Sequence, residues 1–413
     1  MKILSVIAQK PYATGSGVYL SELVREFQKM NHTQAIICGI DKEEPYFANF
    51  ADTFSDIIIE PVIFGNEELP FAPLGMSDVM PYPSTRYRDL SAEMAKRFEH
   101  VFVQKLKQMV ESFQPDLILC HHLYFLTALV VENFPQHSIA AICHGTCLRQ
   151  LASNSFERER ILRAIQKIPT IFALQEEQRE EIRQIVGLPK EQIVAVGNGY
   201  NPAIFYPGDE KRKNEESHRP IRMAFAGKIA VNKGLLSLLR ALALLQSKNI
   251  ELYLAGGGGD EKEFAEIKNL ASRADYPIEF LGMIPQTELA ELYRNCDLFV
   301  FPSYYEGLGL VSIEAMACGL PVVASDTPGL KSWITSKIPE PPIVFVPLPR
   351  MLEVDKPIPS ELQDYEKRFA QAIEEQMNRI SARNFEKIIL PMEKFSWQAV
   401  AENILDNVRP YCS

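Results

Sequence analysis

Two carboxylates, Glu306 and Glu314, stand with seven residues between them in the run Phe301-Pro302-Ser303-Tyr304-Tyr305-Glu306-Gly307-Leu308-Gly309-Leu310-Val311-Ser312-Ile313-Glu314-Ala315. The run reads as the end of an apolar strand, a Glu-Gly turn with a second glycine, and the start of an amphipathic helix. At about 1.5 Å of rise per residue, Glu314 lies a turn to a turn and a half into that helix. Both acids can therefore face one ligand lying across the helix N-terminus. That end offers unpaired N–H groups and partial positive charge, which suit a phosphate. Carboxylates for hydroxyls beside N–H groups for phosphate make a site for a hydroxyl-rich molecule carrying a diphosphate. The bland alternative is a turn acid and a helix-surface acid.

Cations stand in a second segment, Ala226-Gly227-Lys228-Ile229-Ala230-Val231-Asn232-Lys233-Gly234-Leu235, which follows an apolar strand and opens a helix. Lys228 and Lys233 are flexible, compact charges that can reach a diphosphate, or else two solvated lysines at a strand end. The spacing is not that of a P-loop. Gly15-Ser16-Gly17 forms a turn between the first strand and a helix carrying Leu20, Leu23, Val24 and Phe27; it permits close backbone approach to a ligand or is simply a tight turn. Gly256-Gly257-Gly258-Gly259-Asp260 reads as structural, with Asp260 as an N-cap. His144 ends the strand-like Ile139-Ala140-Ala141-Ile142-Cys143, and His121 and His122 compete with it at the end of another strand. Cys143 and Cys147 flank His144, but no second Cys/His pair at zinc spacing accompanies them, which disfavours a metal site.

The elements that must position these residues alternate. Strand patterns at 2–7, 34–39, 116–120, 138–143, 170–174 and 192–196 interleave with helical ones near 17–30, 90–113, 123–134, 153–167 and 175–186. A charged stretch with Gly and Pro at its edges, 207–220, reads as a linker. A second alternating set follows: strands at 221–226, 250–255, 278–281, 297–301, 321–324 and 343–346, with helices at 233–246, 261–273, 286–295 and 310–318. The tail, 360–408, is amphipathic and helical, and 64–89 fits no regular element and reads as a long functional loop. The pattern predicts an α/β protein with parallel sheets in two Rossmann-like domains, 1–206 and 221–394, whose strand ends face a central cleft. A C-terminal helix at about 395–413 is expected to pack back on the first.

At 413 residues the chain can bury two cores, and 46% hydrophobic with 23% charged residues describes an ordinary globular protein. A net charge of −10 disfavours nucleic acid and an extended anionic membrane surface as partners. No apolar run approaches a membrane span, and Met1–Lys10 is too short and strand-like for a signal peptide. Seven scattered cysteines read as small buried hydrophobes in a reducing, cytoplasmic setting.

The segments Gly227–Gly234, Glu306–Glu314, Cys318-Gly319-Leu320-Pro321-Val322-Val323-Ala324 and Val196-Gly197-Asn198-Gly199-Tyr200-Asn201 together resemble the retaining family 4 glycosyltransferases, two-domain GT-B enzymes that use nucleotide-sugar donors. The resemblance is strongest from about 190 to 330. It implies that Glu314 binds the ribose hydroxyls and Glu306 those of the donor sugar. Backbone N–H groups at Gly307, Leu308, Gly309 and Leu310 would hold sugar and phosphate, and Lys228 and Lys233 would neutralise the leaving diphosphate. His144 matches the histidine at the reaction centre, Gly17 or Gly15 the glycine loop near the β-phosphate, and Gly227 and Ile284 join the donor-binding set. The family usually has Arg where Lys228 stands, Asn201 replaces a frequent Asp, and a Pro-rich segment follows Lys331.

The implied function is transfer of a hexose-type sugar from a nucleotide sugar, UDP-linked by family frequency, to a hydroxyl acceptor in glycan or glycoconjugate biosynthesis. Retention, no cofactor and no metal are implied with it; cationic side chains and backbone dipoles would stabilise the leaving phosphate. The acceptor is expected on the first domain near 11–17 and 64–89, where Tyr82, Arg86, Tyr87 and Arg88 are candidates, with peripheral membrane contact left open. Alternatives are an epimerase or phosphorylase on the same fold, or a decayed nucleotide-sugar-binding subunit.

Overall fold

In the computed structural model the described residues are 1–77, 80–208, 219–353, 355–383 and 386–412. The chain forms two compact units, Met1–Asn198 with Trp397–Ser413, and Gly199–Ser396. The first unit therefore ends at Asn198, not at 206, and Gly199–Gly208 belongs to the second. Most of the stretch read as a linker, 209–218, lies outside the described residues.

The first unit alternates β1 (Lys2–Ile7), α1 (Gly15–Lys29), β2 (Thr33–Asp41), α2 (Phe47–Thr53), β3 (Ile58–Phe64), the short β4 (Leu74–Gly75) and β5 (Thr85–Arg86), α3 (Ala92–Phe113), β6 (Leu117–His121), α4 (Phe125–Asn133), β7 (Ile139–Ile142), α5 (Thr146–Ser153), α6 (Arg158–Ile165), β8 (Thr170–Ala173), α7 (Glu176–Val186) and β9 (Ile193–Ala195). The second holds β10 (Ile221–Ala226), α8 (Leu235–Leu244), β11 (Ile250–Ala255), α9 (Glu261–Ala271), β12 (Ile278–Gly282), α10 (Gln286–Asn295), β13 (Leu298–Phe301), α11 (Leu310–Ala317), β14 (Val322–Ser325), α12 (Leu330–Thr335), β15 (Ile343–Val346), the hairpin β16 (Met351–Glu353) and β17 (Lys356–Pro357), and α13 (Leu362–Ala382). The last helix, α14 (Trp397–Val408), belongs to the first unit.

Both main sheets are parallel, in the orders β3-β2-β1-β6-β7-β8-β9 and β12-β11-β10-β13-β14-β15. In each, the first strand sits mid-sheet beside a strand that arrives later (β1 beside β6, β10 beside β13), which makes a doubly wound switch point. Helices cover both faces, so the central strands are apolar without alternation: Ile3, Leu4, Val6 and Ile7 are all buried. One face of the first sheet packs on α3 and α4 through Phe98, Phe102 and Phe125. The other packs on α1 and α14, where the Trp397 ring meets Tyr19 edge-on at 4.9 Å.

Four readings of the pattern are corrected. The helix expected at 153–167 is the shorter α6, entered through Glu157 at a left-handed φ of 46°, and a separate helix, α5, precedes it where the pattern showed none. The edge strand β3 was missed because Pro61 interrupts it; Pro is tolerated at an edge. The segment 64–89 is no free loop: Leu69, Leu74, Met76 and Tyr87 enter the core, and β4 pairs with β5. The helical tail breaks after α13 and resumes only at Trp397.

Trp397→Ala removes the largest side chain joining α14 to the sheet and is expected to cost about 3 kcal/mol. A lower unfolding temperature with faster amide exchange in α1 is the measurement; unchanged exchange in α1 would show that α14 does not hold that face.

Candidate functional site

In the second unit the loops after β10, β11 and β13 converge through backbone contact. Gly227, at φ 146°, donates its N–H to the Ala255 carbonyl at 2.9 Å, and Ile229 donates to Gly257 at 2.8 Å. A Cβ on Gly256 would lie 1.8 Å from the Gly227 carbonyl oxygen, and one on Gly234 would lie 2.0 Å from that of Pro302. No side chain fits at either position, so the glycines fix how closely the loops approach. The N–H of Gly227 is spent on β11 and is not a free donor.

Lys228 is exposed and lies along the glycine loop: a Cβ on Gly259 would stand 2.2 Å from its Cε and 2.7 Å from its Nζ. No carboxylate pairs with it among the described residues. Lys233, at the end of a 3-10 turn before α8, instead pairs with Glu306 at 2.6 Å. The two were read as independent contacts to phosphate and sugar; the fold brings them together as one half-buried ion pair. Gly307 is exposed, with nothing within 4 Å of a built Cβ, and Leu308 is buried. Gly309 adopts φ 58°, φ being in the left-handed region, as the cap that opens α11 at Leu310. Ile284 is half-buried in the loop leading to α10. Its neighbour Met283, overlooked in the sequence, is 87% exposed and approaches Gly257. Its signal was a large apolar residue in a loop of Gly and Pro.

Glu314 sits on α11 facing inward, 8% exposed, with no cation paired to it among the described residues. Burial pushes its carboxyl from the ordinary 4.5 up to about 7. A desolvated acid without a cation is placed to accept hydrogen bonds from a hydroxyl-bearing ligand.

In the first unit β6 and β7 deliver three histidines. His121 ends β6 and His144 follows β7; their Nδ1 and Nε2 atoms are 3.1 Å apart and the rings stack at 5.3 Å. Desolvation and the neighbouring imidazoles hold the His144 pKa well below its ordinary value and take that of His121 down to about 3, so both are neutral near pH 7. His122, at φ 77°, meets Gln9 Oε1 at 3.1 Å, and Gln9 also accepts from Ser16. The sequence offered these histidines as competitors; the fold makes them one cluster. The Sγ atoms of Cys143 and Cys147 lie 3.5 Å apart, and both are free thiols. Among the described residues no group of three or more His, Cys, Asp or Glu side chains is placed to hold a metal ion.

The glycine turn divides. Gly17 gives its N–H to the Thr14 hydroxyl, and a Cβ there would strike Lys10 O at 2.7 Å and the backbone of Pro11 and Tyr12 at 2.8 Å. Its Cβ side faces the protein's own chain, which by itself requires a glycine there. Gly15 has nothing within 4 Å and stays open. Tyr87 is 2% exposed against Tyr124, too buried to meet a ligand.

Two doubly wound units of this kind form the GT-B architecture. Residues 13–204 match the model described as Glycosyltransferase Family 4, and 208–339 match Glycosyl transferases group 1. The chain belongs to the group 1 glycosyltransferases. It is 27% identical over 244 residues to an uncharacterized glycosyltransferase of Methanocaldococcus jannaschii, covering 54% of this chain and 60% of that one. It is 28% identical over 265 residues to alpha-maltose-1-phosphate synthase of Mycolicibacterium smegmatis, covering 60% and 64%. The matched regions thus span less than two thirds of either relative. In fold it is similar to sucrose-phosphate synthase from Thermosynechococcus elongatus (TM-score 0.58, 20% identity, 99% of both chains). It is also similar to HepE of Anabaena in complex with UDP and glucose (TM-score 0.59, 17% identity, 99% and 100%). No helix among the described residues is long and apolar enough to cross a membrane.

Two outcomes follow from the geometry. Gly17→Ala should destabilise by about 2–3 kcal/mol while Gly15→Ala changes stability by less than about 0.5 kcal/mol, read from paired thermal unfolding. Because the folded-state pKa of Glu314 is raised, its ionised form is held less well in the fold than in the unfolded chain. That penalty is absent below about pH 4.5, grows through pH 7 and is complete above it. Glu314→Gln should therefore raise the unfolding temperature at pH 8 and leave it nearly unchanged at pH 5.

Proposed function

We propose that this protein transfers a hexose-type sugar from a nucleoside diphosphate sugar, UDP-linked, to a hydroxyl acceptor, with retention at the anomeric carbon and without a divalent metal. The observation that carries the reading is Glu314: a buried carboxyl with no cation paired to it among the described residues, on the helix that opens behind Gly307–Leu310. Two adjacent ribose hydroxyls would supply donors to it. Such charge-assisted bonds are worth about 1.5–3 kcal/mol each. The family match supports sugar transfer, and the structural neighbour that holds UDP supports the choice of base.

In this reading the bond from the anomeric carbon to the diphosphate stretches, an oxocarbenium-like centre develops, and negative charge grows on the leaving phosphate. Lys228, paired with no carboxylate among the described residues, meets that charge together with the partial positive charge of the α11 N-terminus. Lys233 is held by Glu306 at 2.6 Å, so it is already placed when the charge develops and needs no reorganisation. Glu306 accepts from the donor sugar's hydroxyls while keeping that lysine aimed. Within the first unit, His144 stays neutral, its ring held beside His121, and adds no positive charge to the strand-end cluster there. These cations do the work a metal does elsewhere in the same chemistry. The leaving phosphate takes the acceptor's proton.

A thermal-shift panel of UDP, GDP, ADP and dTDP with their sugars, with and without EDTA, tests the donor assignment. The expected result is stabilisation by the uridine compounds, unchanged by EDTA and lost in Glu314→Ala; at a hundredfold excess over Kd the gain is about 2.7 kcal/mol. No shift with any nucleotide would overturn it. Lys233→Ala should lower kcat by about 100-fold with a smaller change in donor affinity, since its contact strengthens as charge develops. Equal turnover would place Lys233 outside the chemistry.

A further inference from the structure

The first unit contains a cavity of about 520 Å³, apart from the histidine cluster and the glycine turn. It opens where the loops after β1 and β2 meet α1 and α2, with Pro81 and Tyr82 closing one side. That volume is in the range of small-molecule sites. It is tied to the histidine cluster through consecutive residues of one loop: Gln9 bonds His122, and Lys10 lines the cavity.

Its walls are aromatic. Tyr12 packs on Phe50 at 5.4 Å between centroids, and Phe50 on Phe54 at 5.0 Å, which gives a continuous apolar wall. Tyr82 stands with its ring against the Lys10 ammonium at 4.5 Å. Rings of this kind supply large apolar area with a polar tip, which matches the C–H faces and hydroxyl edges of a pyranose or cyclitol.

The charges on the walls are already matched. Lys10 and Glu44 form an ion pair whose side chains are 10% and 4% exposed, and Arg25 is paired with Glu22. The Tyr12 hydroxyl lies beside Glu44, whose charge, after desolvation, helps hold its proton on. An incoming phosphate would have to pull Lys10 away from Glu44 and sit, desolvated, against a carboxylate, which costs more than the new pair returns. A hydroxyl can donate to Glu44 and accept from Lys10 with the pair intact.

We propose that this cavity binds a neutral sugar or cyclitol ring of the acceptor, one that carries no phosphate where it enters. Calling the ligand the acceptor rests on the transferase reading; that the cavity takes a neutral polyhydroxylated ring does not.

Saturation-transfer NMR with methyl α-glucoside, methyl α-mannoside, myo-inositol, glucose 1-phosphate and inositol 1-phosphate tests it, with UDP binding measured on the same samples. At least one neutral compound is expected to bind and to outcompete its phosphorylated counterpart. That signal should fall at least about tenfold in Tyr82→Ala and in Glu44→Gln, while UDP affinity stays within about twofold. Thermal unfolding of both variants verifies that they fold, and Tyr46→Ala at the exposed rim serves as a third variant should either fail. Binding of the phosphorylated compounds alone, no binding by any compound, or neutral binding that persists in folded variants would overturn the proposal. Neutral binding lost in the variants, in a protein that binds no nucleotide, would overturn the donor assignment and leave the cavity's. UDP binding without any saccharide binding would do the reverse.

Discussion

The candidate donor site depends on main chain lying against main chain. Gly256 meets the Gly227 carbonyl and Gly234 meets that of Pro302, at distances where no Cβ can stand. Three loops from three parallel strands are thereby set at a fixed separation. Lys228, Lys233 and Glu306 are carried on those loops, so their spacing is inherited from backbone packing rather than from their own contacts. The Lys233–Glu306 pair refines this placement and does not create it. A half-exposed ion pair contributes little stability by itself, and its value here is orientation.

Against that rigid frame, Glu314 is a deliberate imbalance. A buried carboxyl with no cation paired to it among the described residues opposes folding once it ionises. Such a group persists where a ligand completes its hydrogen bonds, which is how functional sites hold locally unfavourable chemistry. The first unit has the opposite character. Its histidines are kept neutral by burial and by one another, and its cavity charges are matched in pairs. In the proposed reading the second unit receives negative charge and hydroxyls together, and the first a neutral molecule.

Much of this was legible in the sequence because the strands of a parallel sheet, buried on both faces, read as unbroken apolar runs. The strands at 221–226, 250–255 and 343–346 were placed to the residue. The Glu306–Glu314 segment was legible because its glycines and acids have few structural reasons to share that spacing. Tertiary relations were not. Nothing in the sequence couples Lys233 to Glu306, 73 residues on, or shows that Gly17 faces Lys10 while Gly15 faces open space. Pro61 hid an edge strand, and Tyr87 in a Pro-rich stretch gave no sign of being core. The cavity was invisible for the same reason: Tyr12, Glu44 and Tyr82 come from separate loops and Phe50 from α2, and only the fold brings them round one space.

The central claim is that these residues activate a nucleotide sugar without a metal and with retention. Donor turnover to water, followed by proton NMR in EDTA with UDP-glucose and UDP-galactose, tests it without any knowledge of the acceptor. The account predicts release of UDP with the α-anomer of the sugar formed first and equilibrating only later. Release of the β-anomer first, or no UDP from either donor until a divalent metal is added, would contradict it.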